Sequence, residues 1–240
     1  MILDLDIGNT RCKWRVLDSS GVEAACGSAL SVAEALVDEM VASLPVKRVR
    51  VSNVAGVNAA SNISSLVTSK WGLTPEFAES TRSWRELVNG YEKPSALGVD
   101  RWLAMCAAWH IVGGSCVVAD AGSAITVDII AGTGLHIGGY IVPGLHLMED
   151  ALLRDTSGVR FRRGFEGVES GPGKTTEQAV KQGLLRMAAS FIDSVHAMQR
   201  APAGPILLTG GDAELLQPWL GCSPVVRRSL VLEGLALVLP

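Results

Sequence analysis

The sequence predicts an α/β fold of two lobes facing each other across a cleft, and three observations carry that prediction. Apolar strands alternate with amphipathic helices along the 240 residues, the order that builds sheets covered by helices. LDLDIGNT (3–10) and CVVADAGSA (116–124) each end an apolar strand in Asp-x-Gly, and another strand follows at once. Asp6 and Asp120 lie nearly half the chain apart, so each half opens with the same hairpin and closes in helices. The boundary is expected near Gly113 and Gly114, giving one lobe over 1–113 and a second over 114–240.

The first half reads β-β-β-α-β-α-β. MILDLDI (1–7) and CKWRVLD (12–18) flank a Gly-Asn turn, a strong hairpin signal. VEAACGS (22–28) supplies a third strand. SVAEALVDEMVASL (31–44) has apolar residues at helical spacing, with Ser31 and Glu34 forming a capping box. VKRVRVSNV (46–54) alternates as a strand, 58–71 reads as a helix, and LTPEFAE (73–79) as a strand. Residues 80–97 are polar and read as loops with a short helix. The second half opens with a helix over 98–112 and three strands over 115–144. Helices over 145–157 and 175–199 flank a glycine-rich segment (161–174). A strand at PILLTGG (205–211), a short helix from Asp212 and a last helix over 229–239 finish the chain.

Composition removes several function classes. A 48% hydrophobic content with 19% charged residues describes a packed globular chain rather than a disordered one. The net charge of −3 gives no basic field for nucleic acid or anionic membrane, so neither is expected as a partner. Five scattered cysteines without a CxxC pair argue against a disulfide framework or zinc site and point to a reducing compartment. The start lacks a basic, apolar leader pattern, and the apolar runs are too short to span a bilayer, so a soluble cytoplasmic protein is expected. The four histidines show no metal-ligand spacing, and Met148 and Met187 read as helix packing.

Chemistry concentrates at three places. In the first hairpin, Gly8 lets backbone N–H groups approach an anion, Asn9 and Thr10 add donors, and Lys13 adds charge. Asp6 suits a divalent cation bridging phosphates, although Asp-x-Gly alone is also ordinary turn chemistry. No GxxxxGK[ST] occurs, and a strand follows the turn where a P-loop requires a helix. DAGSA (120–124) repeats the pattern with Ser123, so opposed turns would grip a nucleoside triphosphate together. Between them, GVDRW (98–102) places Asp100 and Arg101 at a helix start. They read either as an N-cap carboxylate beside a solvated arginine or as a hydroxyl-activating base beside an anion clamp. Tyr91, just upstream, reads as a pocket or a surface residue. Gly210-Gly211 reads as a close approach for adenine or a simple helix start.

DIGNT, GVDR, DAGSAITVD and HIGGYIVPG occur in the order and spacing of the type III pantothenate kinase family, which they resemble over essentially the whole chain. That family belongs to the acetate and sugar kinase, Hsc70 and actin superfamily. The resemblance implies two RNase H-like (actin-like ATPase) lobes, a homodimer, and ATP-dependent phosphorylation of pantothenate at the first step of coenzyme A synthesis. It implies Mg²⁺ and a monovalent cation, K⁺ or NH₄⁺. By the same resemblance, Asp6, Ile7, Gly8, Asn9, Thr10, Arg11, Cys12 and Lys13 would bind ATP together with Ser123, and Asp120 would bind the monovalent cation. Asp100 would be the base, and Tyr91, Gly98, Val99, Asp100 and Arg101 would contact pantothenate. Thr176 would reach the substrate from the partner subunit, with Thr175 as the neighbouring alternative. Ser123 stands where the family usually has Thr, keeping the hydroxyl but losing the β-branch. The competing expectations are another small-molecule kinase of the superfamily and an inactive relative acting as a regulatory protein.

Overall fold

The computed structural model describes residues 1–31, 33, 44–199 and 204–240, so the helix expected over 31–44 falls outside them apart from its edges. The chain forms two compact units, Met1–Ile111 with Leu230–Pro240, and Val112–Ser229. The division between halves falls two residues before the expected 113/114 boundary. Unlike the expected 114–240 lobe, the last eleven residues pack with the first unit.

In the first unit, β1 (Ile2–Ile7), β2 (Cys12–Leu17), β3 (Glu23–Ala29), β4 (Arg48–Asn53) and β5 (Glu76–Phe77) form one sheet of order β3-β2-β1-β4-β5. The first three strands are antiparallel, and β4 and β5 run parallel to β1. Alternation of side chains sorts the residues onto two faces. Leu3, Leu5, Ile7, Trp14, Val49 and Val51 form the core with Ile63 and Val67 of α1 (Val57–Trp71).

The opposite face is polar yet covered. Asp4 pairs in register with both Arg15 and Arg50, and its carboxylate takes their guanidiniums at 2.9 and 2.7 Å. The same arginines donate onward to the carbonyls of Leu232 and Leu239, which belong to α6 (Leu230–Val238) and the residue after it. This ion cluster draws the C-terminal helix onto the first sheet. All three charged side chains are buried.

Residues 80–97 are more ordered than a loop. A two-residue hairpin, β6 (Ser83–Trp84) with β7 (Leu87–Val88), turns through Arg85 at φ 51°, and a 3₁₀ turn follows at Pro94–Ala96. α2 (Val99–Val112) comes next, with Trp102 to Ala108 all buried.

The second unit repeats the topology. β8 (Cys116–Ala121), β9 (Ala124–Ile130), β10 (His136–Pro143), β11 (Ile206–Thr209) and β12 (Val225–Val226) give the order β10-β9-β8-β11-β12, with the same pattern of antiparallel and parallel pairs. α3 (Leu145–Asp155) and α4 (Thr176–Ala197) lie between β10 and β11, and α5 (Ala213–Leu216) follows β11. The core joins Val117, Ile125, Val127 and Leu208 to Leu185 and Ile192 of α4. Met148 packs against this core as expected, but Met187 is half exposed, because it falls on the outer side of α4. Strand β12 and the β6–β7 hairpin are two-residue elements, too short to leave a periodic signal.

Candidate functional site

In the first unit the hairpin turn closes through a hydrogen bond from Gly8 N to Arg11 O at 3.0 Å. Asn9, Thr10 and Arg11 are exposed on it. Ile7 and Cys12 point into the core, so only their backbone faces the turn's surface. Burial and then the nearby Asp6 charge push the Cys12 thiol up to about 12, so this thiol stays protonated. Asp6 lies directly opposite Lys13 on β2 and Ser52 on β4, which places all three on one face of the sheet. Ser52 Oγ donates to Asp6 Oδ1 at 2.9 Å. The half-buried Asp6 ends the row that begins with Asp4, one carboxylate committed to structure and the next at the edge.

The start of α2 carries a second group. Trp102 N donates to Gly98 O, and Arg101 N donates to Asp100 Oδ1 at 2.7 Å. A side chain on Gly98 would sit 2.6 Å from that oxygen, so glycine leaves the Asp100 carboxylate its place. Arg101 is 7% exposed, donates to Tyr91 Oη at 2.8 Å, and stacks its guanidinium over the Tyr91 ring at 5.6 Å. Tyr91 and Arg101 are thus in contact, beside Gly98 and Asp100 at the helix start, while the Val99 side chain is buried.

Sequence reading missed the residue that presents Tyr91. Asn89 is 1% exposed, and its side chain donates to Thr81 O at 3.1 Å and Pro94 O at 3.3 Å while accepting from Tyr91 N at 3.0 Å. Its backbone N–H adds a bond to Arg82 O. An Asn-Gly pair in a polar stretch reads as a turn, and only the tertiary bonds reveal a clamp.

In the second unit Asp120 lies in register between Thr126 and Thr209, hydroxyls where Asp6 has a lysine and a serine. The turn closes through Gly122 N to Ala124 O at 3.0 Å, leaving Ser123 exposed. Two segments press on it. Gly144 N donates to Ser123 O at 3.1 Å, and Asp212 N donates to Ala121 O at 2.9 Å. A side chain at Gly144 would strike Gly122 O, and one at Gly210 (φ 102°) would strike Ala121 O. The Gly-Gly junction therefore serves close packing on the turn. Among the described residues no group of three or more His, Cys, Asp or Glu converges on a metal position. Asp120 between two threonine hydroxyls, and Asp6 with the Ser52 hydroxyl on one side and Lys13 on the other, are carboxylates of the kind that hold hard cations with few protein ligands and substrate oxygens.

At the start of α4, Thr175 is the N-cap and its Oγ accepts from Gln178 N at 3.2 Å; Thr176, the first helical residue, is exposed. A cavity of about 350 Å³ beside it is lined by Thr175, Glu177, Lys181 and Gln182 with Glu166 and Glu169.

The family model for type III pantothenate kinase matches residues 2–198. The type III pantothenate kinase of Pseudomonas aeruginosa is 37% identical over 250 residues, covering 100% of this chain and 99% of that one. Among solved structures, a conserved putative Baf family transcriptional activator from Campylobacter jejuni superposes with TM-score 0.62 at 21% identity, covering 99% and 96%. A putative 2-dehydro-3-deoxygalactonokinase from Sinorhizobium meliloti gives 0.60 at 12%, covering 98% and 97%. These two likenesses establish the shared fold of paired mixed sheets. Full-length identity at this level, with the family model spanning both hairpins and the helix of Asp100, places the chain in the type III pantothenate kinase family.

Proposed function

We infer that this chain transfers the γ-phosphoryl group of ATP to the terminal hydroxyl of pantothenate, forming 4'-phosphopantothenate at the start of coenzyme A synthesis. The observation that carries this reading is the Tyr91–Arg101–Asp100 group. It sets a buried guanidinium, held at 2.8 Å by a phenol, one residue from a half-buried carboxylate. Pantothenate offers a carboxylate and a primary alcohol, the two functions such a pair recognises. Arg101 and Tyr91 hold the substrate, and Gly98 and Val99 shape the backbone around it.

Asp100 accepts a hydrogen bond from the attacking hydroxyl and takes its proton late. A carboxylate cannot deprotonate an alcohol in the ground state, but the loose transition state of phosphoryl transfer does not demand it. The turn from Asp6 to Lys13 and the turn with Ser123 bind the triphosphate through backbone N–H groups, hydroxyls and the Lys13 charge. Asp6 would hold Mg²⁺, and Asp120, flanked by threonines, would hold K⁺ or NH₄⁺. Held there, Mg²⁺ would supply positive charge to offset the charge that develops on the phosphates.

The active form is a homodimer in which Thr176 of the partner subunit reaches the substrate. That assignment is supported by the capping duty of Thr175, whose hydroxyl accepts from Gln178 N, whereas Thr176 is exposed and lies inside the helix rather than at its cap. The protein works in the cytoplasm, in keeping with five scattered cysteines that form no CxxC pair.

The test is a coupled ADP-release assay with pantothenate and ATP, with and without K⁺. Asp100→Asn is expected to keep the wild-type melting temperature and to lose at least about 100-fold in kcat. Wild-type turnover in that variant overturns the assignment, and a second-moment mass near one chain in ultracentrifugation overturns the dimer.

A further inference from the structure

The two phosphate-facing turns differ in charge. The first carries Arg11 and Lys13. Around the second, no lysine or arginine occurs between Arg101 and Arg154, nor between Arg200 and Arg227, the stretches that supply Asp120, Ser123, Gly144 and Asp212. Those stretches bring in carboxylates instead, Asp120 and Asp212 among them. A polyphosphate held there needs positive charge from the protein or from bound cations. Three histidines fall in the same stretches. His110 lies on α2 in the first unit beside Arg85, and His136 is buried at 2.9 Å from Asp128. His146 alone of the three is exposed in the second unit, its side chain 66% accessible.

His146 is also held. It stands in the first turn of α3, whose N-cap Gly144 donates to Ser123 O. Its Nδ1 lies 3.2 Å from Glu149 Oε2, and Glu149 is 0% exposed, its other oxygen accepting from Gly164 N at 3.1 Å. A carboxylate buried this deeply holds the ring in its orientation. The far nitrogen, Nε2, points to Asp212 Oδ1 at 3.9 Å, and the backbone of Asp212 is tied to Ala121. Both groups that face the imidazole, Glu149 and Asp212, are carboxylates. The exposed ring thus stands on one segment clamped to Ser123 and faces another clamped to Ala121, with Nδ1 against Glu149 and Nε2 on the Asp212 side.

We propose that His146 is a nucleotide-phosphate ligand of this enzyme, presenting an imidazole nitrogen at the second turn where Lys13 presents its amine at the first, and that Glu149 is its positioning residue. The proposal rests on the reading of Asp120–Ser123 as a nucleotide turn.

The test compares KM values and calorimetric ADP affinity in the full-length enzyme. His146→Gln is expected to raise the KM for ATP and the Kd for ADP about fivefold to tenfold, with the KM for pantothenate unchanged. His146→Arg, which offers N–H donors and a fixed charge without the imidazole geometry, restores most of the affinity. Glu149→Gln, checked for an unaltered melting curve, gives part of the loss. His146→Gln with wild-type ATP and ADP affinity overturns the proposal, as does an equal rise in both KM values or failure of arginine to rescue. Ser123→Ala, run in parallel, separates the two readings. If it weakens ATP while His146→Gln does not, only the histidine assignment falls; if neither does, the nucleotide turn falls with it.

Discussion

Two aspartates two positions apart on one strand do different work because of what lies beside them. Asp4 is wholly buried between Arg15 and Arg50, and Asp6 is half buried beside Ser52 and opposite Lys13. Asp4→Ala leaves two guanidiniums buried without their anion and is expected to cost about 3–5 kcal/mol in urea unfolding of the first unit. A loss below about 1 kcal/mol would show that the arginines are satisfied by the helix carbonyls alone. The cysteines give a second prediction at this scale. Burial holds the Cys12 and Cys116 thiols up near 12, Cys106 is raised further still, and Cys222 is raised to about 11. Cys26 is exposed on a strand. Ellman's reagent on the native protein at neutral pH is expected to find one fast thiol, which Cys26→Ser removes.

At the scale of elements, the hairpins, α2, α4 and the Gly-Gly junction were legible because strong local patterns write them into the sequence. Gly-Asn between apolar runs, apolar residues at helical spacing and the Asp-x-Gly repeat all survive without tertiary information. Asn89 was not legible, because its four bonds reach Thr81, Arg82, Tyr91 and Pro94 through a fold that polar residues alone do not specify. The same holds for Glu149, an apparent surface charge on a helix that the fold buries against Gly164. Asn89→Ala removes three side-chain bonds that shape the loop carrying Tyr91. The KM for pantothenate is expected to rise about tenfold while the KM for ATP stays put, with stability falling by about 1–3 kcal/mol. Equal effects on both substrates would mean that the clamp supports the fold at large and not the substrate loop.

At the scale of the whole molecule, the repeat seen as two Asp-x-Gly hairpins extends to two sheets of one strand order. The sequence divides cleanly into halves, but the molecule does not: residues Leu230–Pro240 belong with the first unit. No periodicity reveals which sheet an apolar helix covers; Arg15 and Arg50 tie it to the first sheet, and because their partners on the C-terminal segment are backbone carbonyls they leave no mark in the sequence. A chain ending at Ser229 is expected to keep the second unit and lose cooperative melting of the first, seen as a low-temperature transition and rapid proteolysis within 1–111. A single unshifted transition would refute that. Ordering in time follows from the same contact. The segment that seals the first sheet is translated after the whole of the second unit, so the first sheet cannot close on the ribosome when its own strands emerge. During synthesis the later half is the earlier to mature, and the nascent first half waits with Asp4, Arg15 and Arg50 open to water, a stretch of the protein's life in which a chaperone has something to hold.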